Sequence, residues 1–171
     1  MAIAQDSFDL FRGRGYEGQV STIDVADIIS RLVETGFVPF GRAVIRGVEN
    51  RSCAPVSAGI QASDVIGFSV RTMAEASPTP PNNDNKYDIG YPVNHVASLL
   101  RRGRMLALCI DGASEGDTVH VILDDGDDLG RLTSSAGAGT LLELNQVKWT
   151  EDVAAGQIGE FQVDGIMHVS A

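Results

Sequence analysis

The side chains best suited to bind a metal ion or to act as a general base, the histidines, are few and scattered in this sequence. His95, His120 and His168 are the only three, and no two have the short spacing at which metal ligands share one strand or helix face. A cupin-like β-barrel metalloenzyme needs a cluster of histidines with a glutamate, and this chain has no such cluster. The sequence therefore predicts no metal centre and no cofactor.

The possible nucleophiles also lack the residues that would activate them. Cys53 and Cys109 lie among apolar residues with no obvious base nearby, and two cysteines do not make a disulfide framework in a chain of this length. Residues 134–139, SSAGAG, have the composition of a phosphate-binding loop but neither of its sequence patterns. We therefore predict buried reduced thiols and no enzymatic activity.

The acidic run at residues 124–128, DDGDD, contains oxygen ligands of the kind that calcium prefers. Its register does not match the calcium-binding loop of an EF-hand. An Asp-Gly pair between two apolar runs is instead typical of a β-hairpin, and charge keeps such a tip in water. We interpret this run as a solvated hairpin tip.

The overall charge limits the partners of this protein. The formal net charge is −10, which opposes binding to nucleic acid or to anionic membranes. The chain has no apolar run long enough to span a membrane and no signal-peptide pattern, so we expect folding in a cytoplasm. We predict neither a nucleic-acid nor a membrane partner.

The one dense basic patch is Arg101, Arg102, Gly103 and Arg104. It could protect an exposed strand edge against unwanted pairing, or it could contact carboxylates of another protein chain. Both interpretations remain open at the level of the sequence.

A separate pair of arginines lies in residues 38–47, VPFGRAVIRG. Arg42 and Arg46 flank Val44 with the same strand parity, so a flat strand would place all three side chains on one face. Either the strand is short, or a bulge redirects one arginine. Contact with another subunit is the functional hypothesis for this pair.

The elements that must position these residues are predicted to be mainly strands. Residues 22–35 have an apolar stripe near the helical period, with Thr22 as a cap and Gly36 as a stop, which predicts one helix. Later segments show strand patterns, at 41–48, 65–73, 98–110, 117–123, 130–133, 141–149 and 158–169. The predicted fold is an antiparallel β-sandwich or jelly-roll-like domain (37–171) after an N-terminal arm and short helix (1–36), the whole forming one compact domain.

Residues 74–92 form a long loop rich in proline and asparagine, which is functional or mobile in a compact domain. Tyr87 and Tyr91 lie in it and are further candidates for contact with a partner.

Several segments together resemble a known family. VPFGRAVIRG at 38–47, VIGFSVRTM at 65–73, YPVNHVASLLRRGRMLALC at 91–109 and EGDTVHVIL at 115–123 follow one another in this order. Their order and spacing resemble the structural cement proteins of tailed bacteriophage heads, over most of residues 17–169. GEFQVDG at 159–165 is similar to the closing strands of that family.

The resemblance implies a non-enzymatic decoration protein on the outer surface of the virion. Such a protein binds a shell of major capsid protein with the HK97-like fold, bridges neighbouring capsomers and self-associates as a homodimer or homotrimer. The candidate contacts would then be Arg42, Arg46, Arg101, Arg102, Arg104, Tyr87 and Tyr91. The alternative is a carbohydrate- or receptor-binding β-sandwich module of a virion, which would present exposed aromatic residues to a sugar.

Overall fold

The computed structural model describes residues 15–22, 26–72, 89–124, 126–134 and 140–164. These residues form strands almost throughout, and the one helical element among them is a 3-10 turn at Ala62–Asp64. The strands in chain order are β1 (Asp27–Val33), β2 (Val38–Pro39), β3 (Ala43–Arg46), β4 (Ser52–Pro55), β5 (Val65–Ser69), β6 (Gly90–Tyr91), β7 (Val96–Cys109), β8 (Thr118–Ile122), β9 (Leu132–Thr133), β10 (Leu141–Trp149) and β11 (Gln157–Val163).

Nine of these strands form one sheet that closes on itself twice. The strand order is β1-β4-β3-β5-β7-β11-β10-β8-β9, with additional pairings of β7 to β1 and to β9. The strands β1, β4, β3 and β5 therefore form a ring with the first half of β7, which we call the first barrel. The strands β11, β10, β8 and β9 form a second ring with the other half of β7, which we call the second barrel.

The shared strand β7 passes from one barrel to the other at the basic patch. Residues up to Arg102 pair with β1, and residues from Gly103 onward pair with β11. Gly103 has a φ of 123°, which glycine adopts most readily, and a Cβ built there would lie 3.3 Å from Ala26. Glycine at this position therefore lets the strand change barrels beside β1.

The interior of the first barrel is a compact apolar cluster. Its strands contribute Val33, Val44, Cys53, Ile66, Ala97 and Leu99. The short pair β2–β6 closes this cluster with Phe40 and Tyr91, whose rings meet edge to face with centroids 5.2 Å apart. Alternating strand residues thus fill a small barrel with side chains.

A larger apolar cluster fills the second barrel and the boundary between the barrels. Trp149 and Phe161 lie in the second barrel, and Phe68 of the first barrel packs on Phe161 at 4.8 Å between ring centroids. Ala43 is buried in this cluster, whereas its neighbour Val44 is buried in the other. The strand β3 is therefore covered on both faces, by the barrel interior on one and by the second barrel on the other.

The predicted helix at 22–35 is wrong. Residues 27–33 form β1, which pairs with β7 and β4, while residues 23–25 lie outside the described part. The apolar residues of this segment come in adjacent pairs, which can form one stripe on a helix or lie on both faces of a strand, so the pattern does not distinguish the two. The predicted boundary at residue 36 falls between β1 and β2.

The predicted mainly β class is confirmed, and seven strands occur where the sequence patterns placed them. β8 and β9 pair antiparallel across the Asp-Gly segment, as the hairpin signal predicted. Most pairings are antiparallel, but β1–β4 and β7–β9 are parallel. The N-terminal helix is absent from the described residues, and a jelly-roll arrangement is not confirmed.

Candidate interaction surfaces

The exposed apolar side chains are concentrated on the first barrel. Among the described residues, the large apolar side chains with high exposure are Tyr16 (47%), Ile28 (44%), Leu32 (44%), Val48 (93%), Val93 (42%) and Val96 (57%). Every one of them except Tyr16 lies on a strand of the first barrel or in a turn next to it. Exposed apolar side chains concentrated on one part of a folded domain make that part a candidate surface for contact with another protein.

Strand alternation explains how β1 comes to carry two of these residues. Ile29 and Val33 point into the first barrel, so Ile28 and Leu32 point outward from the same strand. Leu32 is the register partner of Val96 on β7, which places these two side chains side by side on the outer face. We call Ile28, Leu32 and Val96 the apolar face.

The turns around the apolar face are held by hydrogen bonds. Oε2 of Glu34 accepts from the Ser52 hydroxyl (2.8 Å) and from the backbone N–H of Val48 (2.8 Å) and Glu49 (3.2 Å). These bonds, the Ser52 bond foremost, lower the pKa of the Glu34 carboxyl. The β3–β4 turn that carries Val48 is thereby tied to the end of β1.

The basic patch lies inside the sheet and not at an edge. β7 is paired on both sides at the crossover, so the interpretation of these arginines as edge protection is wrong. Arg101 forms an ion pair with Asp27 (2.5 Å), and Arg104 bonds to Gln162 (2.9 Å) and Glu160 (3.4 Å).

Arg102 is the exposed arginine of this patch. It is therefore the member best placed to meet another chain, because the other two arginines are engaged within this one.

The pair Arg42 and Arg46 divides between two roles. The guanidinium of Arg42, half-buried, donates to the Leu129 carbonyl (2.6 Å) and so links the first barrel to the β8–β9 segment. Arg46 ends a strand of only four residues and is exposed, and the β3–β5 register shifts between Val44 and Ile45. The short strand and the bulge both occur, and they separate the two arginines.

Tyr91 is not available for a side-chain contact with a partner. It is 1% exposed, and its hydroxyl donates to the Val70 carbonyl at 2.6 Å. Its position after a polar loop suggested exposure, but its ring is part of the apolar cluster of the first barrel. Tyr87 lies outside the described residues.

A cleft of about 580 Å³ lies between the barrels and beside residues 15–22, which we call the N-terminal segment. Its lining includes Glu17, Arg71 and Arg131, and the Arg71 guanidinium lies 4.7 Å from the centroid of the Tyr16 ring. Burial raises the pKa of Glu17, and the arginines around it only partly offset this effect. The lining thus places one carboxyl against two arginines, of which Arg131 also pairs with Asp128 at 3.1 Å, and we assign no ligand to the cleft.

The described residues offer little for other kinds of site. Cys53 and Cys109 are free and buried, as predicted, and burial raises the pKa of Cys53 to about 11. No group of three potential metal ligands and no helix long and apolar enough to cross a membrane occurs in that part of the chain. Trp149 is 1% exposed, and Tyr16 is the one strongly exposed aromatic residue described, so the structure offers little for stacking on a sugar.

Comparison with known proteins gives one family and one fold. A family model described as structural cement protein (E217 gp24/Pam3 gp6) matches residues 4–164. A chain from the solved structure "The capsid of Myoviridae Phage XM1" is similar to this chain, with a TM-score of 0.71 and 17% identity over 97% of this chain and 99% of that one. No curated protein matches the sequence.

The apolar face was not predicted from the sequence. The signal was present in the adjacent apolar pairs Ile28-Ile29 and Leu32-Val33, because a strand must place one member of each pair outside the barrel. When only one face of a strand packs against the barrel interior, apolar residues on its other face indicate contact with another protein surface.

Proposed function

We propose that this chain, which belongs to the structural cement protein family, binds the outer surface of a phage capsid shell and stabilises the contacts between neighbouring shell subunits. Its partner would be a major capsid protein of the HK97-like fold. The chain would act without catalysis, as a homodimer or homotrimer on the virion surface after synthesis in the host cytoplasm.

The observation that carries this proposal is the concentration of exposed apolar side chains on the first barrel. The apolar face and the neighbouring Val48 and Val93 have no partner within the described chain that covers them. Burying such side chains against another protein is favourable by about 25 cal/mol per Å² of apolar surface. The second barrel, whose exposed strand residues are mainly polar, would face the solvent.

Polar groups around the apolar face would set the orientation of the bound protein. Arg46 and Arg102 are exposed on the first barrel and at the crossover, where they can form a polar rim around an apolar centre. Arg42, Arg101 and Arg104 have partners within the chain, so we place them in the fold and not in the contact.

The test is co-sedimentation of the purified chain with capsid shells that lack it, with the stoichiometry at saturation. We expect saturable binding in a simple ratio to the major capsid protein and a higher temperature of shell disruption. Leu32→Asp should weaken binding about 10- to 100-fold, because a buried leucine contributes about 1.5–3 kcal/mol and each 1.4 kcal/mol is a factor of ten.

The matched control is Gln146→Asp, which adds the same charge to an exposed position of β10 in the second barrel. This variant should bind as the unmodified protein does. Equal loss of binding in both variants would show that added charge alone is responsible, and unchanged binding of Leu32→Asp would contradict the assignment of the apolar face.

A further inference from the structure

The first barrel is incompletely closed along one side of β1. β1 and β4 pair only at Leu32 with Ser52 and at Val33 with Cys53. The N-terminal part of β1 therefore extends beyond β4, and its side away from β7 has no neighbouring strand among the described residues.

The backbone groups on this open side can be identified from the bonds at the end of β1. The N–H of Val33 donates to the His95 carbonyl on the β7 side, whereas the N–H of Leu32 donates to the Arg51 carbonyl on the β4 side. Because successive residues of a strand direct their backbone groups to opposite sides, Ile28 and Ser30 direct theirs to the open side.

These groups have no backbone partner in the described part of the chain. Among the described residues, the one hydrogen bond to these groups comes from the Arg31 guanidinium, which donates to the Ser30 carbonyl at 3.0 Å. Ile28 and Ser30 are both exposed, and no strand among the described residues lies along this edge. An open strand edge with exposed apolar side chains is a ready template for pairing with another strand.

We propose that the β1 edge pairs antiparallel with the β1 edge of a second copy of this chain, about a two-fold axis at Ile29. Ile28 of each copy then lies opposite Ser30 of the other. Their N–H and C=O groups form four hydrogen bonds, which use every open backbone group of the two residues in both copies. This inference deepens the proposed function by naming the surface through which the protein self-associates.

Two observations favour this register and a second copy of the chain as the partner. A register centred on Ser30 would need the N–H of Leu32, which is already bonded to Arg51. The register centred on Ile29 instead places Asp27 opposite Arg31 of the second copy on both sides of the axis, so the charges are complementary. Arg31 would release the Ser30 carbonyl to the new strand, and its guanidinium would join the ion pair that Asp27 of the second copy already forms with its own Arg101.

The pairing also extends the surface that we propose for capsid binding. The apolar face lies on the side chains of β1, whereas pairing uses its backbone edge, so one strand can make both contacts at once. The two apolar faces would lie next to each other across the axis. A two-fold pair of this kind presents two copies of the same contact, which is the arrangement needed to link two neighbouring subunits.

The experiment is sedimentation equilibrium of the purified chain without shells, from micromolar to millimolar concentration. We expect a monomer–dimer equilibrium. Ser30→Pro removes the open N–H without touching the β1–β7 ladder and should weaken dimerisation at least tenfold, since proline is tolerated where an edge N–H faces solvent. Ser30→Ala keeps the N–H and should dimerise as the unmodified chain does.

A second variant covers the case in which Ser30→Pro does not fold. Arg31→Glu places two acidic residues opposite each other across the axis and should also weaken the dimer at least tenfold, with a loss that shrinks as salt is added. Far-ultraviolet circular dichroism and the thermal midpoint of each variant check that the monomer is intact.

The register has its own test. Ile29→Cys places a cysteine of each copy at the axis, at a separation of the two strands that a disulfide can span, whereas Arg31→Cys does not. Mild oxidation should cross-link the first variant and not the second. Cross-linking of Arg31→Cys in preference to Ile29→Cys would overturn the register.

The outcomes also separate this inference from the proposed function. A chain that stays monomeric at every concentration, that forms trimers, or whose dimer is unaffected by both Ser30→Pro and Arg31→Glu would overturn the β1 pairing. A chain that binds shells but does not dimerise retains the capsid-binding role and loses this interface. A chain that dimerises through β1 but binds no shell retains the interface and loses the capsid role.

Discussion

At the scale of single residues, Glu160 joins the N-terminal segment to the second barrel. Its carboxylate accepts from the hydroxyl of Ser21 (2.5 Å) and from that of Thr150 (2.8 Å), and Arg104 lies at 3.4 Å. Burial alone would raise the pKa of Glu160, but these hydrogen bonds and the arginine together outweigh burial and lower it. The charged form of Glu160 is thus the form that the folded state favours.

The lowered pKa predicts a loss of stability in acid. A carboxyl whose pKa is lower in the folded state contributes stability above its unfolded pKa, about 4.3, and that contribution is lost as pH falls through the folded value. In Glu160→Gln this loss should be absent, so urea midpoints at neutral pH and at pH below 4 should differ less than in the unmodified chain.

Two comparisons make the acid experiment specific to Glu160. Glu143→Gln removes the charge of an exposed glutamate of β10 and is the control for the loss of a glutamate charge as such. Glu17 contributes with the opposite sign because its pKa is raised, so only the difference between variant and unmodified protein reports Glu160. An unchanged acid dependence in Glu160→Gln would contradict the assignment.

At the scale of elements, local patterns predicted the strands whose two faces differ. β8 alternates buried Val119 and Val121 with half-buried residues, and the sequence placed this strand within one residue of its observed ends. β1 and β4 were not predicted, since β1 has apolar residues on both faces and Ser52–Pro55 has no alternation. Closure of two barrels depends on pairings between distant strands, which a local pattern does not contain.

The sequence could predict which type of residue would contact a partner, but not which individual residues would do so. Arginine was the right kind of residue for a protein contact, but Arg101 and Arg104 find carboxylates within the chain that are 74 and 56 residues away in sequence. Whether an arginine pairs with a carboxylate of its own chain depends on the strand register. The sequence alone therefore could not show that Arg102 is exposed while Arg101 and Arg104 are paired.

The crossover of β7 gives a prediction at this scale. Gly103→Ala should destabilise the protein by about 1–3 kcal/mol, because a φ of 123° is strained for any residue with a Cβ and Ala26 lies 3.3 Å from where that Cβ would be. Denaturant unfolding measures the change. Arg102→Ala, at the exposed neighbouring position, should stay within about 0.5 kcal/mol, and an equal effect of both variants would argue against a special role of the glycine.

At the scale of the whole molecule, the two barrels share both a strand and a core. Phe68 and Leu100 of the first barrel belong to the same buried cluster as Phe161 and Trp149 of the second. Opening either barrel would expose this common cluster and remove the pairing partners of β7. The two barrels should therefore unfold together.

This expectation can be checked with one probe in each barrel. Trp149, the only tryptophan, reports the second barrel by its fluorescence, and the buried thiol of Cys53 reports the first by its reaction with a thiol reagent. The two denaturation curves should coincide. Labelling of Cys53 at a denaturant concentration that leaves the fluorescence native would show that the first barrel opens by itself.

The length of β7 has a mechanical consequence. Its 14 residues span about 46 Å of extended chain, hydrogen-bonded to β1 and β5 at one end and to β11 at the other. A pull along this strand loads those bonds in shear, many at once, whereas a pull across the sheet would open them one after another. The covalent backbone of β7 thus connects the two barrels directly, and a force applied along this strand meets more resistance than a force applied across the sheet.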